Sequence, residues 1–282
     1  MPYREEFTLY VKDYPEIYST PLNFNLSERV FTSKAYKKSE TAIISDKDFK
    51  SVVVGALYSI KGGYPVITAK STADYLNAKN GIGINVKPSD FGLKEITTLN
   101  GSAYAIVSDV ARSLYPNGAK NVIVARSDLF PDSIVAISLA KAVDSPILFT
   151  ENNRLPNVIK ETIKQLNPER VIIIGGEKAV SKDVENSFDV PVLRLGGADR
   201  SETSLIVANY IGKFDGIIIS DFNTNLSISC VSLMAKEGYP LVFTKDGITD
   251  DVATLLRRVS PDKIYIISDS SRVKEEVEGV FE

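Results

Sequence analysis

The feature that most constrains this chain of 282 residues is that it repeats itself. Asn121-Val-Ile-Val-Ala-Arg-Ser-Asp128, Pro131-Asp-Ser-Ile-Val-Ala-Ile-Ser-Leu-Ala140 and Ser145-Pro-Ile-Leu-Phe-Thr150 form one series. The series returns as Gly216-Ile-Ile-Ile-Ser-Asp221, Leu226-Ser-Ile-Ser-Cys-Val-Ser-Leu-Met-Ala235 and Tyr239-Pro-Leu-Val-Phe-Thr244. A fainter copy runs from Ala42-Ile-Ile-Ser-Asp46 through Val52–Ile60 to Gly63-Tyr-Pro-Val-Ile-Thr68. Three copies on a chain of this length predict three small units sharing a core, because one such unit alone buries too little surface.

Within a copy the apolar period alternates. Asn121–Ala125 is a short branched run suited to a parallel strand covered on both faces. Ser133–Lys141 has helical spacing with Pro131 near its first turn. A strand at Pro146–Phe149, an amphipathic helix at Asn157–Gln165 and a strand at Val171–Ile174 follow, stopped by Gly175-Gly176. This is a βαβαβ order with right-handed crossovers expected. In the last copy Leu226–Lys236 reads as one helix, and Val259-Ser-Pro-Asp-Lys263 matches Leu166-Asn-Pro-Glu-Arg170. The first copy shows no third strand of comparable clarity, Asn80–Pro88 being loose and glycine-rich. An unpaired sheet edge exposes backbone groups. Residues 1–38 are therefore expected to return beside the last unit, with a strand at Glu6–Val11 and a helix within Leu26–Lys38.

Composition excludes several functions. Thirty-three basic and thirty-six acidic side chains give a net charge of -3, too little positive field for a nucleic-acid partner. The chain has no histidine, which removes His-based triads and ordinary zinc sites. Cys230 is the single cysteine, so no intramolecular disulfide forms. No run of eighteen apolar residues marks a transmembrane segment. The acidic start Met-Pro-Tyr-Arg-Glu-Glu is unlike a signal peptide, so the expectation is a cytoplasmic chain, or a cell-surface or extracellular one whose precursor signal has been removed.

Ser145-Pro-Ile-Leu-Phe-Thr150, Leu166-Asn-Pro-Glu-Arg-Val-Ile-Ile-Ile-Gly-Gly-Glu-Lys-Ala-Val-Ser181 and Arg194-Leu-Gly-Gly-Ala-Asp-Arg-Ser-Glu-Thr203 together resemble the cell wall-binding repeat 2 family. The resemblance spans roughly residues 40–275 and is strongest over 119–245. It implies three tandem Rossmann-like α/β parallel-sheet units in pseudo-threefold arrangement, fastened noncovalently to anionic cell-wall polymers. The family's Gly-Asp-Arg-Tyr-Glu-Thr signature stands here as Ala198-Asp-Arg-Ser-Glu-Thr203, whereas Asn100-Gly-Ser-Ala-Tyr104 lacks the Asp-Arg pair. The Ala-Asp-Ala helix start is similar to Pro131-Asp-Ser133 and absent from Asn225-Leu-Ser227.

Candidate ligand-binding residues fall in two groups. Asp199, Arg200 and Glu202 form the densest polar motif, and the planar guanidinium of Arg200 suits a two-pronged contact with phosphate or carboxylate. Lys178 and Arg194 supply further positive charge nearby in sequence. Arg126 and Asp128, with Asp132 beyond them, follow a strand at the end where open α/β sheets bind ligands. The same residues equally serve as helix caps and inter-repeat ion pairs. Neither catalytic nor metal-ligating residues stand out, and no cofactor is implied; Gly175-Gly-Glu-Lys178 lacks the full phosphate-loop pattern.

The expected organisation is 1–118 for an N-terminal extension with a degenerate first repeat, 119–212 for the second repeat, and 213–282 for the third, completed by the N-terminal segment. The expected function is a noncatalytic module that binds an anionic cell-wall polysaccharide or another envelope component. The alternatives are a structural protein using the scaffold for protein assembly partners, and a nucleotide- or sugar-dependent α/β enzyme.

Overall fold

Three four-stranded parallel sheets, with helices on their faces, compose the structure, a computed structural model that describes residues 15–19, 24–222, 224–268 and 270–282. The chain enters through β1 (Glu16–Ser19) and α1 (Phe24–Ala35). The first unit holds β2 (Thr41–Ser45), α2 (Phe49–Gly62), β3 (Val66–Ile67), α3 (Lys70–Leu76), β4 (Asn80–Ile84), β5 (Lys94–Leu99) and α4 (Ala103–Leu114). The second holds β6 (Asn121–Arg126), α5 (Phe130–Val143), β7 (Ile147–Thr150), α6 (Asn157–Leu166), β8 (Arg170–Ile174), α7 (Lys182–Glu185), β9 (Val192–Leu195) and α8 (Arg200–Ile211). The third holds β10 (Gly216–Ser220), α9 (Thr224–Ile228), α10 (Val231–Glu237), β11 (Leu241–Phe243), α11 (Asp250–Val259), β12 (Lys263–Ile267) and α12 (Ser271–Glu278).

The strand orders are β3-β2-β4-β5, β7-β6-β8-β9 and β11-β10-β12-β1. They coincide once β1 takes the fourth place in the last sheet, paired parallel to β12 with Glu16 opposite Lys263. The strand expected at Glu6–Val11 lies outside the described residues. Local sequence explains the elements. Val171–Ile174 in β8 is wholly buried, as a strand covered on both faces must be. Helix α6 buries only the stripe Ile159, Thr162, Ile163 and Leu166 and stops where Asn167 adopts the left-handed conformation before Pro168. Helix α5, by contrast, is buried from Asp132 to Ala140 on all sides, because it lies at the centre.

Two readings of the sequence change. Asn80–Ile84 is a central strand whose pairing with β5 shifts register at Gly81–Ile82, and its glycines answer to close packing: a Cβ on Gly83 would lie 2.1 Å from the Val86 carbonyl oxygen, and one on Gly81 2.6 Å from Pro88. The single helix expected over Leu226–Lys236 is broken into α9 and α10. There the Ser229 hydroxyl donates to the Leu226 carbonyl (2.5 Å) and the Cys230 thiol to that of Ser227 (3.0 Å), so side chains compete with the helical ladder.

Helices α2, α5 and α10 pack against one another around the pseudo-threefold axis. At one end of that bundle the rings of Phe49 and Phe130 meet edge to face at 5.8 Å, and Phe130 meets Phe243 at 6.2 Å. The inner edge strands β3, β7 and β11 each face the next unit, and serine side chains bond the backbone at β3 and around β11. Ser232 in α10 accepts from the Val66 N–H (2.8 Å) and donates to its carbonyl (2.6 Å), and Ser138 in α5 donates to the Tyr239 carbonyl (2.6 Å). The same place in α2 is filled by buried Leu57. The helix after each fourth strand crosses to the following unit: α4 lies on β7, α8 on β11, and α1 on α3.

The last seam is the most polar. The buried Glu28 carboxylate in α1 accepts from the Thr68 N–H (2.8 Å), the Thr68 hydroxyl (2.6 Å), the Ala69 N–H (3.0 Å) and the Thr72 hydroxyl (2.7 Å). At the matching place in α8, Ser204 accepts the Phe243 N–H at 2.9 Å. Burial pushes the Glu28 carboxyl above its ordinary range, against the pull of the four donors. Removing it strands two amides and two hydroxyls, each a cost of about 1–3 kcal/mol where water cannot enter. Glu28→Ala is therefore expected to lower the unfolding free energy by ~3 kcal/mol or more, and Ser204→Ala by ~1–2 kcal/mol. Urea titration of the two variants checks this; equal, small losses would show that the Glu28 seam does not hold the ring.

Candidate functional site

The carboxyl ends of β6, β8 and β9 open into a cleft of about 650 Å³ between the second unit and the start of α8. Its position follows from topology: crossovers place loops and helix N-termini at this end of a parallel sheet. The floor is two glycine pairs packed backbone on backbone. A Cβ on Gly196 would lie 2.2 Å from the Gly175 carbonyl carbon, and one on Gly176 2.8 Å from the Gly197 carbonyl oxygen. Gly175, at φ +109, also leaves room for Asp132, whose Oδ2 would stand 2.5 Å from a Cβ there.

Asp132 is the third residue of α5 and is 7% exposed, yet it lines the cleft. Among the described residues its carboxylate receives no hydrogen bond and forms no ion pair closer than 4.0 Å. Arg200, the first residue of α8, lines the same cleft and lays its guanidinium over the Phe222 ring at 4.6 Å. Burial pushes the Asp132 carboxyl up to about 6, and the charges of Arg200 and Arg126 hold it from rising further.

The candidates named from sequence separate here by what already engages them. Arg200, Lys178 and Asp199 all line the cleft, with Lys178 exposed at its mouth. Asp199 caps α8 by accepting the Glu202 N–H (3.0 Å), while the Glu202 carboxylate returns to the Ala198 N–H (2.6 Å). That reciprocal capping box occupies both acids and fixes the start of the helix that carries Arg200. Arg126 and Asp128 form a two-pronged pair at 2.5 and 2.8 Å, and the arginine holds the Asp128 carboxyl below its usual range. Arg194 points away from the cleft: it pairs with Glu185 (2.5 Å) and donates to the Gly175 carbonyl (2.9 Å), bracing the glycine floor from behind.

Sequence reasoning placed Asp132 only among several strand-end acids, and it missed Phe222 and Asn152. The position of Asp132 inside an otherwise apolar helical run was the available signal. Phe222 stands in the Asp221–Asn225 loop of the third copy, and its pairing with Arg200 is a contact between units that no local pattern carries. Asn152 donates to the Lys178 and Ala179 carbonyls (2.7 and 3.0 Å), holding the loop that presents Lys178. Among the described residues no acidic or cysteine cluster could hold a metal ion, and no helix is long and apolar enough to cross a membrane.

Fold and cleft define a class: a ring of three parallel-sheet α/β units with an open polar groove at the strand ends. Within that class the chain belongs to the family of cell wall binding domain 2 (CWB2), whose pattern matches residues 99–185 and 194–278, more than half of the chain. It is thus a cell-wall-binding module, associated with the cell envelope. It is 31% identical over 183 residues to the amidase enhancer of Bacillus subtilis (strain 168), covering 63% of this chain and 25% of that protein. It is 25% identical over 196 residues to the N-acetylmuramoyl-L-alanine amidase LytC of the same organism, covering 67% of this chain and 39% of that one. The structure of Cwp6 from Clostridium difficile superposes with a TM-score of 0.81 at 15% identity, over 97% of this chain and 48% of the other, which establishes the shared fold. The chain thus spans less than half the length of each of these proteins.

The raised Asp132 carboxyl makes a signed prediction. A carboxyl at about 6 in the fold, against 3.8 unperturbed, weakens the folded state once it ionises. The penalty is absent below pH 4, grows through pH 6 and is complete by pH 8. Asp132→Asn is expected to stabilise the protein by ~2–3 kcal/mol at pH 8 and by little at pH 4. Urea titrations at both pH values check it, and a pH-independent difference would show that the carboxyl ionises freely in the cleft.

Proposed function

We propose that the second unit holds an anionic cell-wall glycan, without catalysing a reaction on it. The observation that carries this reading is the placement of Arg200: a guanidinium fixed by a capped helix and an aromatic ring, facing a glycine-floored cleft with Lys178 at its mouth. A net charge of -3 gives no general attraction for a polyanion, so attachment requires such a local arrangement. The ligand-binding group proposed is Arg200 and Lys178, with Asp199 and Glu202 positioning the first through their capping box. Arg126, Asp128 and Arg194 shape the surrounding loops.

A noncatalytic role is supported by the relatives. One is named for enhancing an amidase and another as an amidase, and the segment common to both with this chain covers 25% of the first and 39% of the second. A segment found in proteins with different named activities suits attachment better than either activity. The partition proposed is 1–118, 119–212 and 213–282, with the N-terminal segment completing the third unit.

Retention on native envelope preparations tests the reading. Wild-type protein is expected to bind at low salt and to be released as ionic strength rises, because exposed charges are screened beyond about 10 Å at 0.1 M salt. Arg200→Ala is expected to weaken retention about tenfold, and Arg200→Lys less, since lysine keeps the charge and loses the planar fork. Full retention of a folded Arg200→Ala protein would remove Arg200 from the role, and salt-independent attachment would contradict an electrostatic grip.

A further inference from the structure

The three units carry the same site positions but not the same chemistry. The third residue of the helix after the first strand is Asp132 in the second unit, Ser51 in the first and Leu226 in the third. Ser51 is buried and accepts from the Asn85 amide at 3.2 Å, and Leu226 is buried. The place opposite varies with it. At the start of α4, Tyr104 touches Ser127 just beyond β6 (2.7 Å), as Arg200 at the start of α8 touches Phe222 just beyond β10. For the third unit the matching position, the first residue of α1, is Phe24, judged by the seam contacts of Glu28 and Ser204 five residues into their helices. Acid and arginine occur together once and are replaced together twice, by hydroxyl groups and by apolar residues.

Two groups that vanish jointly act on one thing. They are not an ion pair: Asp132 and Arg200 interact through space with no contact inside 4.0 Å, across the cleft they both line. Asp132 is more than nine-tenths buried as a residue, and its carboxylate, open to the cleft, takes no donor from the described chain, so it accepts from whatever fills the cleft, water or a ligand hydroxyl. Arg200 and Lys178 only donate, so they call for an acceptor or an anion.

We infer that the module has one ligand site, not three, and that this site reads a sugar unit bearing a hydroxyl beside an anionic group, hydroxyl to Asp132 and anion to Arg200. The inference rests on the second unit's cleft being the glycan site. Sulfate, fully deprotonated near neutral pH, supplies the anion without a hydroxyl, and glucose the hydroxyls without the anion, so neither satisfies both groups. The cleft volume of about 650 Å³ lies within the range that holds small ligands.

Amide NMR titration of the full chain with glucose 1-phosphate, glucuronate, glucose and sulfate tests this. Either sugar anion is expected to saturate at one equivalent, with shifts confined to the cleft residues around Asp132, Gly175–Lys178 and Gly196–Arg200, and glucose and sulfate to bind at least about tenfold more weakly. Asp132→Asn, expected to be the more stable protein near pH 8, should lose about tenfold in sugar-anion affinity and none for sulfate. Two or three equivalents bound, or shifts around Ser51 and Tyr104 or Leu226, would overturn the single site. Sulfate binding as tight as the sugar anions, or an unaffected Asp132→Asn, would overturn the hydroxyl contact. If no probe binds while the protein is retained on envelopes, this inference falls and the cell-wall reading stands; absence of envelope retention removes that reading itself.

Discussion

Everything in this structure depends on closing the inner edges of three open parallel sheets. A four-stranded sheet leaves a row of unpaired amides along β3, β7 and β11, and each unit is too small to cover its own. The ring solves this by reciprocity: a central helix of one unit packs against the next unit's edge strand, and the helix after the fourth strand crosses to that unit. Ser138, Ser232, Ser204 and Glu28 add hydrogen bonds at two of the three seams, while Leu57 packs at the third without supplying one. Closing a ring of three requires that the last gap be filled from elsewhere in the chain. β1 and α1 fill it: β1 pairs with β12 from the far end of the chain, α1 carries the four-donor clamp of Glu28 on the first unit, and Ser232 binds Val66 across the same seam.

The seams also aim the site. Helix α8 is tied to β11 through Ser204 and starts at a reciprocal Asp199–Glu202 cap, so Arg200 has little freedom over its first turn. Phe222, on the third unit, then fixes the guanidinium plane. The cleft therefore belongs to the second unit in its walls and to the ring in its geometry. A single unit cut from the chain would keep Asp132 and the glycines but lose the ring face under Arg200.

The buried strands, the glycine stops and the order of elements were legible because each is local: a branched run covered on both faces, a capped helix, an αL residue before proline. Homology between copies extended this to the threefold arrangement. What the sequence did not disclose is contact between copies. Arg194 and Arg200 lie six residues apart and both read as candidate ligand-binding cations, yet one is bound to Glu185 behind the floor and the other lines the cleft. The break between α9 and α10 was hidden for a related reason, since Ser229 and Cys230 sit at helical spacing and reveal their competing bonds only in three dimensions. Asn80–Ile84 looked loose because its glycines were taken for flexibility, when a carbonyl and a proline ring press against them.

Scaffold and site are built from different residues, and that separation allows the site to be unequal. A buried acid kept without its arginine would carry an uncompensated desolvation cost, and an arginine kept without the acid would lose its distinguishing partner across the cleft. Ser51 with Tyr104, and Leu226 with Phe24, stand where the second unit has Asp132 and Arg200. None of these changes touches Glu28, Ser138, Ser204 or Ser232, so the ring closes as firmly around units without the charged pair as around the one that has it. The residues that close the ring are thus separate from those that line the candidate cleft.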